Sequence, residues 1–426
     1  MTASGRTARG LRRVPQYEPP EDERRREQQT PPEEAERKKK RRQVKYNLFS
    51  LGAGIDMPLL AFILVLLAIG LVMLFSASYA YCYYNYGNSY YFIIRQAGFA
   101  AAGVVIMLFV STFDYHHFHK LALPILGIAV LLLLTVLVGK LANGALPIAR
   151  PKNGVYRWIN LGVEFQPSEV AKFALVVMFA HMISQRVEKM KTFRHGFLPF
   201  AGLLLLFIGL IMPEPHVSAT VIICLLGLIM MIIGGSPIKW FVILGSIGVA
   251  ALVAIVLFSG KFDYALDRIY GWLDPFNPPG DVDTWQTQQS LYAIGSGGVL
   301  GVGLGQSRQK YLYLPEPQND FIFAIVCEEL GLVGALIIII LFSLLIWRGV
   351  YVSLRAKDKF GMMLGLGITF QIGIQAVLNI CVVTNTIPNT GIGLPFFSYG
   401  GTALMMLLAE VGVLLNVSRT SNVEKT

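Results

Sequence analysis

The chain has 426 residues, of which 54% are hydrophobic and only 15% are charged. Soluble domains carry about a quarter charged residues, so the composition excludes an ordinary soluble globular protein. The net charge of +10 does not predict a nucleic-acid partner, because residues 1–45 alone hold 14 Lys and Arg against 8 Asp and Glu. A basic segment directly before an apolar span instead follows the positive-inside rule of membrane proteins.

Three regions are predicted along the chain. Residues 1–46 form a disordered, basic cytoplasmic tail, because their Pro, Glu, Arg and Gln content cannot bury enough apolar surface to fold. Such a tail also favours contact with anionic membrane lipids. Residues 47–418 form the membrane domain, and 419–426 form a short cytoplasmic tail.

The predicted fold is an all-α, polytopic transmembrane helical bundle, since about 20 mainly apolar residues suffice to cross a bilayer as a helix. About ten such stretches occur, and the large loop 260–320 separates the seventh from the eighth. The stretches lie near 57–78, 91–111, 121–139, 168–185, 196–212, 217–235, 239–259, 321–347, 360–384 and 398–417.

Lys and Arg in the short loops predict the orientation. They are abundant around 186–194 and 348–359, whereas 79–90 has neither and carries six tyrosines instead. Both termini are therefore predicted to be cytoplasmic. The long polar loops 140–167 and 260–320 then face outside, and long loops on one face are where function is expected.

Charged residues inside predicted spans are costly and favour a functional site. Glu169 and Lys172 share one helix face and predict an ion pair, which is either part of a site or a structural salt bridge. Glu328, Glu329 and Glu410 are predicted to face protein or water, and helix packing and proton coupling remain open for them.

The glycine-rich run 295–305 does not match a phosphate loop, because it lacks a Gly-Lys-Ser/Thr sequence and a preceding strand. Two interpretations stay open. The run cradles an anion through its backbone N–H groups, with Lys310 close by, or its glycines permit close packing of an interfacial loop.

Four segments together resemble one family. They contain RWINLG and FQPSEVAK within 157–172, QQS and AIGSGG within 288–298, LPE, DFIFA and EELG within 314–331, and PNTGIGLPFFSYGG at 388–401. This pattern resembles the SEDS proteins (shape, elongation, division and sporulation), the group of FtsW, RodA and SpoVE. The resemblance extends over about residues 50–418.

The resemblance implies a peptidoglycan glycosyltransferase that polymerises lipid II, an undecaprenyl diphosphate-linked disaccharide peptide, at the outer face of the bacterial cytoplasmic membrane. It also implies a class B penicillin-binding protein as partner, together with other division or sporulation proteins. Division or sporulation is favoured over elongation. No cofactor is implied, and a divalent cation is compatible with the reaction but not indicated by an Asp-rich motif.

The family's essential acid matches Asp320, which is predicted to act as general base in an inverting transfer. Without the resemblance, the ordinary interpretation of Asp320 is a helix cap. The terminus of the following helix is expected to hold its carboxylate charged. The sequence departs from the family at Gln318 and Asn319, where His-Thr is common, and at His216, where an aspartate is usual.

Cations are expected near the acid to neutralise the departing diphosphate. The predicted substrate-binding residues are Arg157, Glu169, Lys172, Gln289, Ser290, Lys310, Glu316 and Ser398.

Two other functions remain as alternatives. Charges inside the spans also favour a lipid II flippase, and the outer loops are equally compatible with a non-catalytic scaffold for a penicillin-binding protein. The chain shows no internal repeat of the transporter kind, and its motifs cluster toward one predicted face, which favours the polymerase.

Overall fold

The computed structural model describes residues 54–142, 155–160, 162, 164–214, 216–243, 245–246, 269–278 and 283–421. Almost all regular structure in these residues is helical, apart from a short antiparallel ribbon in which Ile159 pairs with Phe165. The predicted all-α fold is confirmed. The tail predicted over 1–46, most of the span predicted at 239–259 and residues 422–426 lie outside the described residues.

The helices cross the bundle repeatedly. They are α1 (Met57–Tyr86), α2 (Tyr91–Val110), α3 (His116–Leu141), α4 (Pro167–Gln185), α5 (Leu198–Ile211), α6 (Val217–Ile233), α7 (Trp285–Gly297), α8 (Ile322–Leu354), α9 (Lys359–Val383) and α10 (Gly401–Thr420). The ribbon consists of β1 (Ile159–Asn160) and β2 (Glu164–Phe165), and a 3-10 turn (Val187–Lys191) and a π turn (Phe193–Phe197) precede α5. Eight helical segments of the described chain are long and apolar enough to cross a membrane, and the shorter α6 is also apolar. The protein is therefore a multi-pass membrane protein.

Two elements differ from the predicted boundaries. Helix α1 continues to Tyr86 rather than ending near 78, because the chain meets no helix breaker before Gly87, whose left-handed conformation ends the helix. Helix α7 lies inside the segment predicted as the outer loop 260–320. Its 13 residues are too short to cross a bilayer, and its Gln and Ser content hides it from a search for apolar spans.

The bundle has two ends, called the Asp320 face and the Arg348 face. At the Asp320 face, α1 ends and α4 and α8 begin; at the Arg348 face, α8 ends and α9 begins. The Arg348 guanidinium binds Asp56 at 2.8 Å, and Asp56 also caps α1. Asp358 caps α9 and accepts a hydrogen bond of 2.7 Å from the Tyr115 hydroxyl. These bonds join four helices at the Arg348 face.

Glu328 and Glu329 are both buried, as predicted, and each has partners inside the protein. A carboxylate oxygen of Glu328 accepts the backbone N–H of Arg308 at 2.8 Å. Glu329 pairs with Lys310 at 2.9 Å and accepts from the Ser76 hydroxyl at 2.7 Å. The two carboxylates thus tie the segment after the glycine-rich run to α8 and α1, which supports the helix-packing interpretation.

The glycine-rich run 295–305 packs against a break in α8. Gly331 has φ 66° and ψ −167°, so the helical bonding pattern is interrupted there. The carbonyl oxygens of Glu328 and Glu329 each accept an N–H of the run at 3.0 Å. A methyl group on Gly301 would collide with the backbone of Glu329. Because N–H groups of the run are already bonded to α8, close packing rather than an anion cradle explains the glycines.

Replacing Gly331 by alanine is expected to destabilise the protein by about 3 kcal/mol, because a Cβ there collides with the Gly301 backbone and the φ/ψ pair suits glycine alone. Thermal unfolding in detergent measures the loss. Gly295→Ala is the matched control within the same run. A methyl at that helical position meets open space, so its melting temperature should stay the same or rise. Equal melting temperatures for both variants would contradict the packing account.

Candidate active site

Asp320 lies in the turn before α8 and is half-buried. It is not the helix cap, because Phe321 occupies that position and no side chain caps the terminus. The carboxylate lies beside Gly391, where an added methyl would sit 3.4 Å from Asp320 Oδ2 and 3.8 Å from Ser218 Oγ. The acid, the start of α6 and the segment after α9 therefore meet at one point.

Burial raises the pKa of Asp320 to about 6; a hydrogen bond from its own backbone N–H opposes this, and the neighbouring Glu316 carboxylate adds to it. Loss of hydration therefore shifts the pKa upward, although the carboxyl lies next to the α8 terminus. With this pKa, Asp320 is mostly ionised at pH 7 and also accepts a proton more readily than an exposed aspartate. Both properties suit a general base.

Lys172 is 2% exposed and lies in the first turns of α4, which begins at Pro167. Its ammonium group pairs with Glu169 at 2.9 Å, so the predicted ion pair is present. It also donates to Gln375 Oε1 of α9 at 3.2 Å. A buried cation is therefore held at the Asp320 face by two partners on two helices.

Two amide side chains of α9 connect the acid and the cation to the same short segment. Gln375, which accepts from Lys172, donates to the carbonyl of Gly393 at 2.9 Å. Asn379, one helical turn further on, donates to the carbonyl of Asp320 at 2.7 Å and to that of Ile392 at 2.6 Å. Consecutive turns of one rigid helix thereby fix both Lys172 and the Asp320 backbone relative to residues 390–393.

Glu214 and His216, in the turn between α5 and α6, are both buried. Burial raises the pKa of Glu214 to about 8, although nearby Arg157 and Lys140 oppose the change. Burial lowers the pKa of His216 to about 3, and Arg157 and Lys172 lower it further. At neutral pH both side chains are therefore mostly uncharged, and neither cancels the positive charge of Arg157.

Several buried polar atoms around this region lack a hydrogen-bond partner within the described residues. Buried polar atoms in proteins are normally paired, so these atoms are available to a polar ligand or to water. They are Ser168 Oγ, Glu214 Oε1, His216 Nδ1, Asn379 Oδ1 and Thr390 Oγ1.

The model of the FtsW/RodA/SpoVE cell cycle proteins matches residues 57–423. The chain belongs to this family. It is 41% identical over 367 residues to stage V sporulation protein E of Bacillus subtilis, covering 86% of this chain and 97% of that protein. It is 37% identical over 364 residues to the probable peptidoglycan glycosyltransferase FtsW of Trichlorobacter lovleyi, covering 85% and 93%.

A solved relative has the same fold. The similar chain belongs to a peptidoglycan synthase complex that coordinates polymerization and crosslinking. The TM-score is 0.70 at 25% identity, and the match covers 87% of this chain and 98% of the other. The likeness in fold therefore covers most of this chain and nearly all of the solved one.

In this FtsW/RodA/SpoVE protein, two further predicted site residues lie beside the acid. Glu316 accepts from the Asn319 amide at 2.8 Å and influences the pKa of Asp320. The Ser398 hydroxyl donates to the backbone carbonyl of Asn319 and accepts the N–H of Leu394 at 2.7 Å. Both residues shape the segments on either side of Asp320.

Three other predicted site residues have different surroundings. Ser290 is fully buried and donates to the carbonyl of Val383 at 2.8 Å, which anchors α7 to the end of α9. Gln289 is buried on the same helix. Lys310 is 2% exposed and paired with Glu329, so its ammonium group is engaged in packing the glycine-rich run.

Four residues of the candidate site were not predicted from the sequence. Glu214 and Ser218 lie two residues before and after His216, which is the residue that the sequence comparison singles out there. Gln375 and Asn379 were hidden in an apolar span. Their spacing of four residues, which puts two amides on one helix face, was the signal available.

Proposed function

We propose that this protein is a peptidoglycan glycosyltransferase that polymerises lipid II, with Asp320 as general base. The observation that carries the proposal is the ladder formed by Gln375 and Asn379. It binds the buried ammonium group of Lys172 and the backbone carbonyl of Asp320, and it ties both to residues 390–393. The naming of the FtsW relatives as probable peptidoglycan glycosyltransferases supports the same activity.

The reaction is an inverting displacement at the anomeric carbon of the donor sugar. A hydroxyl oxygen of the acceptor sugar forms a new bond to the anomeric carbon. At the same time, the bond between the anomeric carbon and the diphosphate oxygen breaks. The hydroxyl proton passes to the carboxylate of Asp320, which acts as the general base. The electron pair of the broken bond leaves with the diphosphate, whose growing charge Lys172 and Arg157 stabilise.

The Asp320 face is proposed to be the outer face of the cytoplasmic membrane, with both termini in the cytoplasm. The Lys and Arg distribution of the loops supports this orientation. A class B penicillin-binding protein is the proposed partner, since the solved relative belongs to a complex that couples polymerization to crosslinking. The similarity to a stage V sporulation protein and to FtsW proteins supports a role in sporulation or division.

Purified protein, combined with its class B partner and given labelled lipid II, tests the activity. We expect glycan chains that a muramidase degrades, resolved as a ladder on a gel. If lipid II stays monomeric with every candidate partner while a known polymerase consumes it under the same conditions, the proposal is wrong.

The pH dependence of polymerisation is a further prediction. Because the base must be ionised and burial raises its pKa to about 6, the rate should fall as the pH drops through about 6. An exposed aspartate would keep its activity down to about pH 4. Initial rates between pH 5 and 8, with folding monitored in parallel, measure the midpoint. A profile that stays flat down to pH 5 would contradict the assignment of Asp320.

A further inference from the structure

The Asp320 face carries an exposed aromatic surface where α1 ends and α2 begins. Four tyrosines there have large exposed fractions, namely Tyr83 (60%), Tyr84 (63%), Tyr86 (48%) and Tyr90 (55%). Together with Tyr91 they are called the tyrosine stripe. Residues 79–90 contain no charged side chain.

The length of α1 lifts the stripe above the membrane. At 1.5 Å per residue its 30 residues span about 45 Å, whereas the hydrocarbon core is about 30 Å thick. We take the start of α1 as one boundary of the core, because the Asp56–Arg348 ion pair there suits the polar edge of a bilayer better than its hydrocarbon. The other boundary then falls near residue 77, and Tyr83 to Tyr86 stand about 9 to 14 Å beyond it, past a headgroup layer of about 5 to 7 Å.

An interfacial aromatic belt explains Tyr79 but not the rings beyond it, because belt residues sit at headgroup level. Tyr79 is placed about 3 Å above the same boundary. An aromatic belt therefore accounts for the base of this surface, and the stripe above it needs another explanation.

Four rings of the stripe contact another ring of the stripe. Tyr86 and Tyr91 stack with centroids 4.2 Å apart and planes 11° from parallel. The guanidinium of Arg95 lies 4.1 Å from the Tyr91 centroid. Tyr83 and Tyr84 meet edge to face at 5.7 Å. Rings that are already ordered lose little conformational entropy when a ligand binds.

The stripe is continuous with the site. Phe92, which contacts Tyr86 and Tyr91, stacks on Tyr399 with centroids 4.2 Å apart. The Tyr399 N–H donates to the carbonyl of Gln318 at 2.8 Å, two residues before Asp320. A row of aromatic rings, with the buried Phe92 in its middle, therefore joins the Asp320 turn to the exposed end of α1.

We propose that the tyrosine stripe binds the growing glycan strand as it leaves the Asp320 site. This inference rests on the proposed polymerase function and adds to it a path for the product. A sugar ring offers an apolar face of C–H groups and a rim of hydroxyl and amide groups, which an uncharged tyrosine ring and hydroxyl match. Arg95, at the inner end of the stripe, adds one cation for the carboxylates of the attached peptides.

Such a surface holds a strand weakly at many points and lets it advance by one repeat at a time. Each ring contributes about 1 kcal/mol, so no single contact locks the product in place. Loss of the outermost rings should therefore shorten the chains without slowing the transfer step.

The test compares the native protein with the double variant Tyr83→Ala/Tyr84→Ala, each with its class B partner. Two quantities are measured in one reaction, the initial rate of lipid II consumption and the length distribution of the product. Separately, a soluble β-1,4-linked hexamer of N-acetylglucosamine is titrated into the full chain in lipid nanodiscs. We expect a native initial rate, shorter chains, and binding of the hexamer about thirtyfold weaker, since two rings of about 1 kcal/mol each are lost.

Two further variants sharpen the comparison. Tyr83→Phe/Tyr84→Phe keeps the rings and should retain most of the chain length. Tyr79→Ala removes a ring at headgroup level and should leave both chain length and hexamer binding unchanged.

The inference is overturned if the alanine double variant makes chains of native length and binds the hexamer as the native protein does. It is also overturned if the variant loses its partner protein while chain length and hexamer binding stay native, because the stripe is then a protein-docking surface. Failure of the native protein to consume lipid II would refute the polymerase function instead, and hexamer binding would still decide whether the stripe binds glycan.

Discussion

Asp320→Asn should reduce lipid II polymerisation by about a hundredfold or more, because loss of a general base typically costs 10²- to 10⁴-fold in rate. The substitution keeps the shape of the side chain and removes its capacity to accept the proton. No ion pair to the Asp320 carboxylate occurs among the described residues, and its backbone bond to Asn379 is untouched, so the melting temperature should not fall. Initial rates at saturating lipid II measure the effect.

Asp283→Asn is the matched control. Asp283 is exposed on the same side of the bundle, and within the described residues its carboxylate accepts the N–H of Trp285. It should retain native activity and stability. Full activity in Asp320→Asn would exclude Asp320 as the base. Loss of activity accompanied by a large fall in melting temperature would show that the carboxylate stabilises the fold.

Lys172→Met should reduce polymerisation by about a hundredfold, since removing one preformed stabiliser of developing negative charge commonly costs 10²- to 10³-fold. Stability should fall as well, because Glu169 loses its partner in a largely buried position. Steady-state rates and thermal unfolding of the same preparations measure the two effects.

The double variant Glu169→Gln/Lys172→Met separates catalysis from structure. Removing both charges of a buried pair is often neutral for stability, so the melting temperature should recover toward the native value. Polymerisation should remain lost. If activity recovers together with stability, the pair is a structural salt bridge and Lys172 does not bind the diphosphate.

The apolar spans were predictable because one simple quantity, the length of uninterrupted hydrophobic sequence, determines which segments cross a bilayer. The burial of Glu328, Glu329 and Glu410 was predictable for the same reason, and each is 1% exposed. Their partners were not. Lys310 and Gln371, which bind Glu329 and Glu410, come from other segments of the chain, so only the packing of the helices reveals them.

The candidate site was predictable where the family motifs supplied it, as for Asp320, Glu169 and Lys172. The surroundings that tune these groups required the structure. The raised pKa of Asp320 depends on burial under the segment around Gly391. Glu214 is likewise uncharged because its turn is buried, and this burial outweighs the opposing effect of the nearby Arg157. Both effects arise from packing between segments that are far apart in the sequence.

The most direct test uses vesicles in which labelled lipid II is present only in the leaflet at the Asp320 face. Native protein and its class B partner should convert the label into long glycan chains in that leaflet, and Asp320→Asn should leave it monomeric. Appearance of the label in the opposite leaflet without polymer, at equal rates in both proteins, would contradict the polymerase and identify a flippase.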